Sequence, residues 1–197
     1  ADVMVIFQHG DWNDQRAADL DAYLKRGGGL VLIHWAIDGR QGGAEFAKRI
    51  GLAGRGLVGF RHGEVALEFN AAKKHPIARN FTTLKLFDET YWKMAGSLPA
   101  DRVLASCVEE GSPQPQMWTL EPGHGRVFVC IPGHFSWTFD DPLYRVLLLR
   151  GIAWAGQLAN PDALCRPEEL GDALRYVEGG PTAPAALLLP ASHLDPR

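Results

Sequence analysis

Three histidines stand at or just beyond the end of a short apolar run: His9 after residues 3–7, His34 after 30–33 and His134 after 127–131. A fourth run, 84–87, ends in two acids, Asp88 and Glu89. Near neutral pH an imidazole works as a general acid or base, and in its neutral form as a metal ligand. A carboxylate partners it in either role. The residue types alone leave acid–base chemistry and a divalent metal both open. In extended chain, neighbouring side chains point to opposite faces, so Asp88 and Glu89 do not act as a pair and at most one faces a cleft. Tryptophans accompany the runs: Trp12 near His9, Trp35 after His34, Trp92 after the acids and Trp137 after His134. Indole faces at a site rim suit stacking on sugars, and equally serve to pack loops onto a sheet. The catalytic candidates are therefore His34, His134, Glu89 and Asp88, supported by His9 and His62, with Trp35, Trp92 and Trp137 lining a substrate cleft.

These residues need strands that end together. Residues 3–7 read as a strand, and Asp11-Trp12-Asn13-Asp14 offers helix N-caps. Ala17, Leu20, Tyr23 and Leu24 recur at helical spacing until Gly27-Gly28-Gly29 stops them. The continuous apolar runs 30–33 and 126–131 predict strands buried on both faces, hence a mostly parallel sheet covered by helices. In an open α/β sheet ligands bind beyond the carboxyl ends of the strands, which would bring the three histidines together. A short helix is expected over 44–50. Strands are expected at 65–69, 84–87, 103–108 and 116–120, with turns at His75-Pro76 and 111–115. Asp140 or Asp141 caps a last helix whose stripe is Leu143, Val146, Leu147, Ala153 and Trp154, ended by Gly156. Beyond residue 157 the composition shifts to Pro, Ala and Gly, read as a tail or linker over 158–197 with one helical stretch at 168–176.

Composition narrows the function classes. The chain has 197 residues, 20 basic and 23 acidic, for a net charge of −3. Without a Lys/Arg block it carries no electrostatic footprint for nucleic acid or anionic lipid. No apolar run approaches the roughly 20 residues of a membrane helix. Cys107, Cys130 and Cys165 are odd in number and lack C-x-x-C spacing, so they predict buried thiols in a reducing compartment. The start at Ala1, with no signal-peptide core, points to a cytoplasmic chain, or to one whose leader or true start is missing. Gly54-Arg55-Gly56-Leu57-Val58-Gly59 spells G-x-G-x-x-G, but it follows a helix and leads into a strand, the reverse of the dinucleotide fingerprint, so no nucleotide cofactor is expected. There is no G-x-S-x-G or cysteine elbow to supply a nucleophile.

Taken in order, Gly27-Gly28-Gly29-Leu30-Val31-Leu32-Ile33-His34, His75-Pro76-Ile77, Asp88-Glu89-Thr90-Tyr91, Trp118-Thr119, Gly125-Arg126-Val127-Phe128 and Gly133-His134 resemble the ThuA-like, or trehalose-utilisation, family. The closing helix 147–154 fits as well, so the resemblance spans about residues 2–156. It is strongest to modules of large bacterial multidomain proteins. The resemblance implies a flavodoxin-like, class I glutamine amidotransferase-like sheet with helices on both faces, without the amidotransferase cysteine. It also implies a ThuA-like domain over 1–157 lacking the family's first strand, and it adds Tyr91 to the binding residues. For function it implies an enzyme that processes a sugar or 3-keto-sugar as a hydrolase, lyase or isomerase, with a divalent metal admitted. The alternative is a non-catalytic carbohydrate-binding or accessory module of a longer chain.

Overall fold

The computed structural model describes residues 1–56, 58–69 and 75–163. Strand β1 (Val3–Ile6) leads to helix α1 (Asp14–Lys25), whose N-cap is Asn13, its side-chain oxygen accepting the Arg16 N–H at 2.9 Å. The chain turns at Gly27 and enters β2 (Gly29–Ile33), every residue of which is buried. Leu30 and Leu32 pack with α1 and with α2 (Gly43–Ile50) through Leu20, Leu24, Phe46 and Ile50. Val31 and Ile33 pack against Tyr144, Leu147 and Trp154 of α3 (Pro142–Ala155). Helices thus cover both faces of the sheet at β2, which is why its apolar run does not alternate.

After a two-residue β3 (Leu52–Ala53) come β4 (Gly59–Glu68), β5 (Thr83–Trp92), a short β6 (Ala95–Gly96) paired with β3, β7 (Val103–Glu109), β8 (Ser112–Leu120) and β9 (Arg126–Cys130). The main sheet has seven strands in the order β1-β2-β9-β8-β7-β4-β5. Only β1–β2 and β2–β9 are parallel; the other four pairings are antiparallel. The expected mostly parallel sheet is therefore corrected to a mixed, mostly antiparallel one. The links decide this. A parallel pair needs a crossover of a dozen or more residues, whereas β7 and β8 are joined by Glu110-Gly111 alone, both at positive φ as a tight hairpin requires. The loop from β8 to β9 is also too short for a crossover helix. The turn expected over 111–115 is largely strand for a related reason. Pro113 and Pro115 pair only with β7, because β9 meets β8 later, at Met117–Leu120, so neither proline interrupts a two-sided ladder.

The sheet curls. Although β5 is three places from β8 in strand order, the Tyr91 N–H donates to Gln116 Oε1 at 3.1 Å, and Gln116 Nε2 donates to the Tyr91 carbonyl at 2.7 Å. This buried amide clasp carries the end of β5 back toward β2 and β9. Among the described residues no helix is long and apolar enough to cross a membrane. Residues up to 163 still touch the body, with Pro161 buried and Asp162 paired with Arg79. The remainder of the expected tail, with its helical stretch 168–176 and Cys165, lies outside the described residues.

Candidate functional site

Strand β2 runs directly into His34, which has a φ of +57° and opens a single 3-10 turn, His34–Ile37. A left-handed conformation at a non-glycine residue costs on the order of 1–3 kcal/mol and persists only where the surroundings enforce it. Here they do. The ring is buried, stacks on Tyr91 with centroids 5.1 Å apart, and has Nδ1 2.9 Å from the Ile131 carbonyl at the end of β9. A carbonyl can only accept, so Nδ1 carries a proton and Nε2 faces inward.

Four side chains meet that Nε2 or its neighbours. Glu89 Oε2 lies 3.0 Å from His34 Nε2 and 3.1 Å from His134 Nδ1. The two histidines approach each other at 3.1 Å through the same atoms, and the Tyr91 hydroxyl lies 3.1 Å from His34 Nε2. Glu89 and Tyr91, two residues apart on β5, share a face. On β4, His62 is the cross-strand partner of Glu89 and places Nε2 3.1 Å from Glu89 Oε1, outside hydrogen-bonding alignment. His34 and Glu89 are buried, whereas the His134 side chain is 34 % exposed and forms the open side.

Asp88 faces the other way. It accepts the N–H of Glu89 at 2.6 Å, those of Gly133 and His134 at 3.0 Å each, and the Thr138 hydroxyl. Three of these four contacts fasten the loop that carries His134, so the geometry makes Asp88 a positioning residue rather than a reacting one. Gly133 is equally constrained: its φ is +139°, and a Cβ there would stand 2.9 Å from the Ile33 side chain. Burial pushes the Glu89 carboxyl up, but hydrogen bonds from His134 and His34 and their charge outweigh it and bring it to about 2. The Glu89 hydrogen bond raises His134 above the usual imidazole value despite burial. Burial, and then the Glu89 charge, raise Tyr91 far above an ordinary phenol, so it remains a hydrogen donor.

The other sequence candidates scatter. His9 lies three residues beyond the edge strand β1 and packs edge-on against Trp35, which is 42 % exposed. Trp92 shares the Asp88 side of β5 and packs over Gly59. Trp137 donates its N–H to the Phe87 carbonyl at 3.1 Å and stacks on Phe135 at 4.2 Å. Phe135, absent from the sequence candidates, touches the cluster 4.6 Å from His134 and 5.5 Å from His62, and Phe60 and Phe7 flank it at 6.0 Å from His62 and 6.4 Å from His34. For Phe135, its position next to His134 was the available signal. A cleft of about 710 Å³ between β1 and α1 is lined by His9, Trp12, the polar or charged Gln8, Arg16, Asp19 and Arg26, and apolar side chains, and includes none of the clustered groups. Cys130 is buried within β9, and burial raises its thiol, so it is no nucleophile. Among the described residues, His34, Glu89 and His134 form a group able to hold a metal ion.

The molecule is thus an α/β sheet protein with a histidine–carboxylate cluster where the ends of β2 and β9 meet the curled strands β4 and β5. The chain belongs to the ThuA family, whose model, described as trehalose utilisation, matches residues 1–155. A ThuA-like protein from Parabacteroides merdae ATCC 43184 has a TM-score of 0.65 at 24% identity, over 79% of this chain and 70% of that one. A ThuA-like protein from Bacteroides uniformis ATCC 8492 gives 0.62 at 19%, over 82% and 73%. A cytoplasmic protein from Salmonella typhimurium LT2 gives 0.52 at 17%, over 83% and 71%. These likenesses speak for the fold alone. No curated protein matches the sequence.

Proposed function

We propose that the cluster is the reaction centre of a cytoplasmic enzyme that hydrolyses, eliminates from or isomerises a small sugar or keto-sugar. The observation that carries this is one buried carboxylate, Glu89, set within 3.1 Å of three imidazoles that come from three different elements. Such a carboxylate stabilises an imidazolium as it forms, so a histidine can take a proton from carbon or oxygen and return it. The Tyr91 hydroxyl, held neutral, suits a developing oxyanion. Aromatic faces at Phe135 and Trp137 suit the apolar face of a sugar ring. The family's link to trehalose utilisation supports a carbohydrate substrate.

The test is turnover of a panel of disaccharides, their keto derivatives and free keto-sugars by the protein and its His34→Ala and His134→Ala variants. We expect at least one substrate to be consumed and both variants to lose that activity. Turnover of every active substrate at unchanged rates in both variants would sink the assignment. The exposed Trp35, with His9 packed against it, favours a second reading as a carbohydrate-binding or accessory module. On that reading sugar affinity survives His34→Ala and is lost with Trp35→Ala.

A further inference from the structure

We infer that His34 Nε2, His134 Nδ1 and Glu89 Oε2 bind one divalent first-row transition-metal ion on a single face, leaving positions open toward solvent. The inference deepens the reading above and rests on it for its substrate, whereas the ion itself rests on ligand geometry. The starting point is a convergence of lone pairs. Because His34 Nδ1 is committed to donating to the Ile131 carbonyl, its Nε2 presents a lone pair in the neutral ring. That lone pair stands 3.0 Å from Glu89 Oε2. His134 Nδ1 stands 3.1 Å from both atoms, so three potential ligand atoms on three different elements converge on one point.

The separations point to the ion. The three donor atoms form a nearly equilateral triangle of 3.0, 3.1 and 3.1 Å. Ligands about 2.1 Å from an ion and at right angles to one another stand about 3.0 Å apart, whereas a regular tetrahedral arrangement spreads them further. The triangle therefore fits three adjacent corners of an octahedron. Two imidazoles and one carboxylate on one face suit zinc, cobalt or ferrous iron, and not magnesium or calcium, which favour all-oxygen shells. The surroundings also match what metal-ligating groups require. The outer nitrogen of His34 is fixed by a backbone carbonyl, which sets its tautomer, and the second Glu89 oxygen is faced by His62. The Asp88 clamp fixes the backbone of His134, and the exposed side of that ring leaves room for water or a sugar oxygen. An ion there would polarise a bound carbonyl or hydroxyl and would leave the proton-transfer role to His62, the unligated imidazole, whose Nε2 lies 3.1 Å from Glu89 Oε1.

The full chain, treated with a chelator and dialysed, is titrated with Co²⁺ and separately with Zn²⁺ by calorimetry, and the cobalt form is recorded in the visible range. We expect saturation at one ion per chain and the weak bands of five- or six-coordinate cobalt, displaced by zinc. Loss of an outer partner alone typically weakens a site by about 10–100-fold. Glu89→Gln and His134→Ala, which remove ligands, should therefore weaken it on the order of 100-fold or more, while the distant His124→Gln leaves it unchanged. Circular dichroism checks that each variant folds, and the cobalt spectrum of the unaltered chain needs no variant. Failure to saturate at one ion per chain, or equal affinity in both ligand variants, overturns the inference. Full sugar turnover by the metal-free protein also overturns it and leaves the enzyme reading standing. One tightly held ion without turnover of any sugar does the reverse.

Discussion

Two partly buried histidines are driven in opposite directions. His75, in the turn after the undescribed residues 70–74, packs edge-on against Trp154 of α3 and accepts the Ile77 N–H at 3.3 Å. Burial pushes it down to about 4, with Glu121 opposing weakly and Arg102 and Arg126 adding to the fall. His134 is also partly buried, yet the hydrogen bond it donates to Glu89 raises it. The difference is one carboxylate. Burial favours the neutral ring; a facing anion reverses that preference. In this molecule the type of residue marks a candidate, and what faces it decides whether it can carry charge.

Removing that carboxylate tests the comparison most severely. Glu89→Gln keeps the shape and deletes the charge, leaving His134 in an environment closer to that of His75. Turnover of any sugar the protein consumes should fall about 10²–10⁴-fold, measured as kcat/KM alongside an unchanged circular-dichroism spectrum. A fall of less than tenfold would place the cluster with His75, among structural histidines.

Much of the parallel half of the sheet could be read in the sequence. Continuous apolar runs ending in histidine mark β2 and β9, and the caps Asn13 and Asp141 mark α1 and α3. The antiparallel half also left a trace: Val65, Leu67 and Phe69 are buried while Ala66 and Glu68 between them are exposed, as for a strand covered on one side. The curl left none. Nothing in the chain near Glu89 announces that Gln116 will clasp Tyr91 and bring an edge strand beside β2. For the same reason a shared strand-end position did not suffice for His9, which follows the edge strand and has a tryptophan as its neighbour. Adjacency could show that Asp88 and Glu89 face apart, but only the fold shows which of them faces the histidines.

Asp88 sharpens the contrast from the other side. An Asn there keeps one acceptor but turns an amide N–H₂ toward the donors of Gly133 or His134, so charge-assisted bonds are lost in a buried place. Such bonds are worth about 1.5–3 kcal/mol each. Asp88→Asn should lower unfolding free energy by about 3 kcal/mol in urea titrations and loosen His134. Should stability hold while activity falls as far as in Glu89→Gln, Asp88 reacts with substrate rather than positioning its neighbour.

The His75 region makes a prediction about pH. Its imidazole titrates near the ordinary 6.5 when unfolded and near 4 when folded, so between those values the unfolded chain binds the extra proton. Stability from this group is complete above about pH 6.5 and is lost as pH falls toward 4. The full shift is discounted for the ring's partial exposure, which leaves on the order of 2 kcal/mol. Glu89, depressed to about 2, withdraws its own contribution only below about 4.5, while the raised His134 gains stability as pH falls from 7 and opposes the trend, so the His75 part is the difference between the protein and its His75 variant. Chemical denaturation at pH 7 and pH 4.5 should show the loss, and His75→Leu should flatten it. An unchanged slope in that variant would mean that His75 is not the group responsible.

The smallest expected effect concerns the aromatic rim, and it separates the enzyme from the binding module. Trp35 is 42 % exposed and rests on His9, so removing it empties no core site, and stability should move by no more than about 0.5 kcal/mol. If the indole only steadies a sugar that reacts at Glu89, Trp35→Ala forfeits about 0.5–1.5 kcal/mol of ring contact. KM then rises a few-fold while kcat holds, because that contact is the same in the ground and transition states. If the indole is instead the principal binding platform, affinity disappears with Trp35 and is indifferent to His34. In that event the Glu89 cluster, however strongly it holds its histidines, is not where the sugar is recognised.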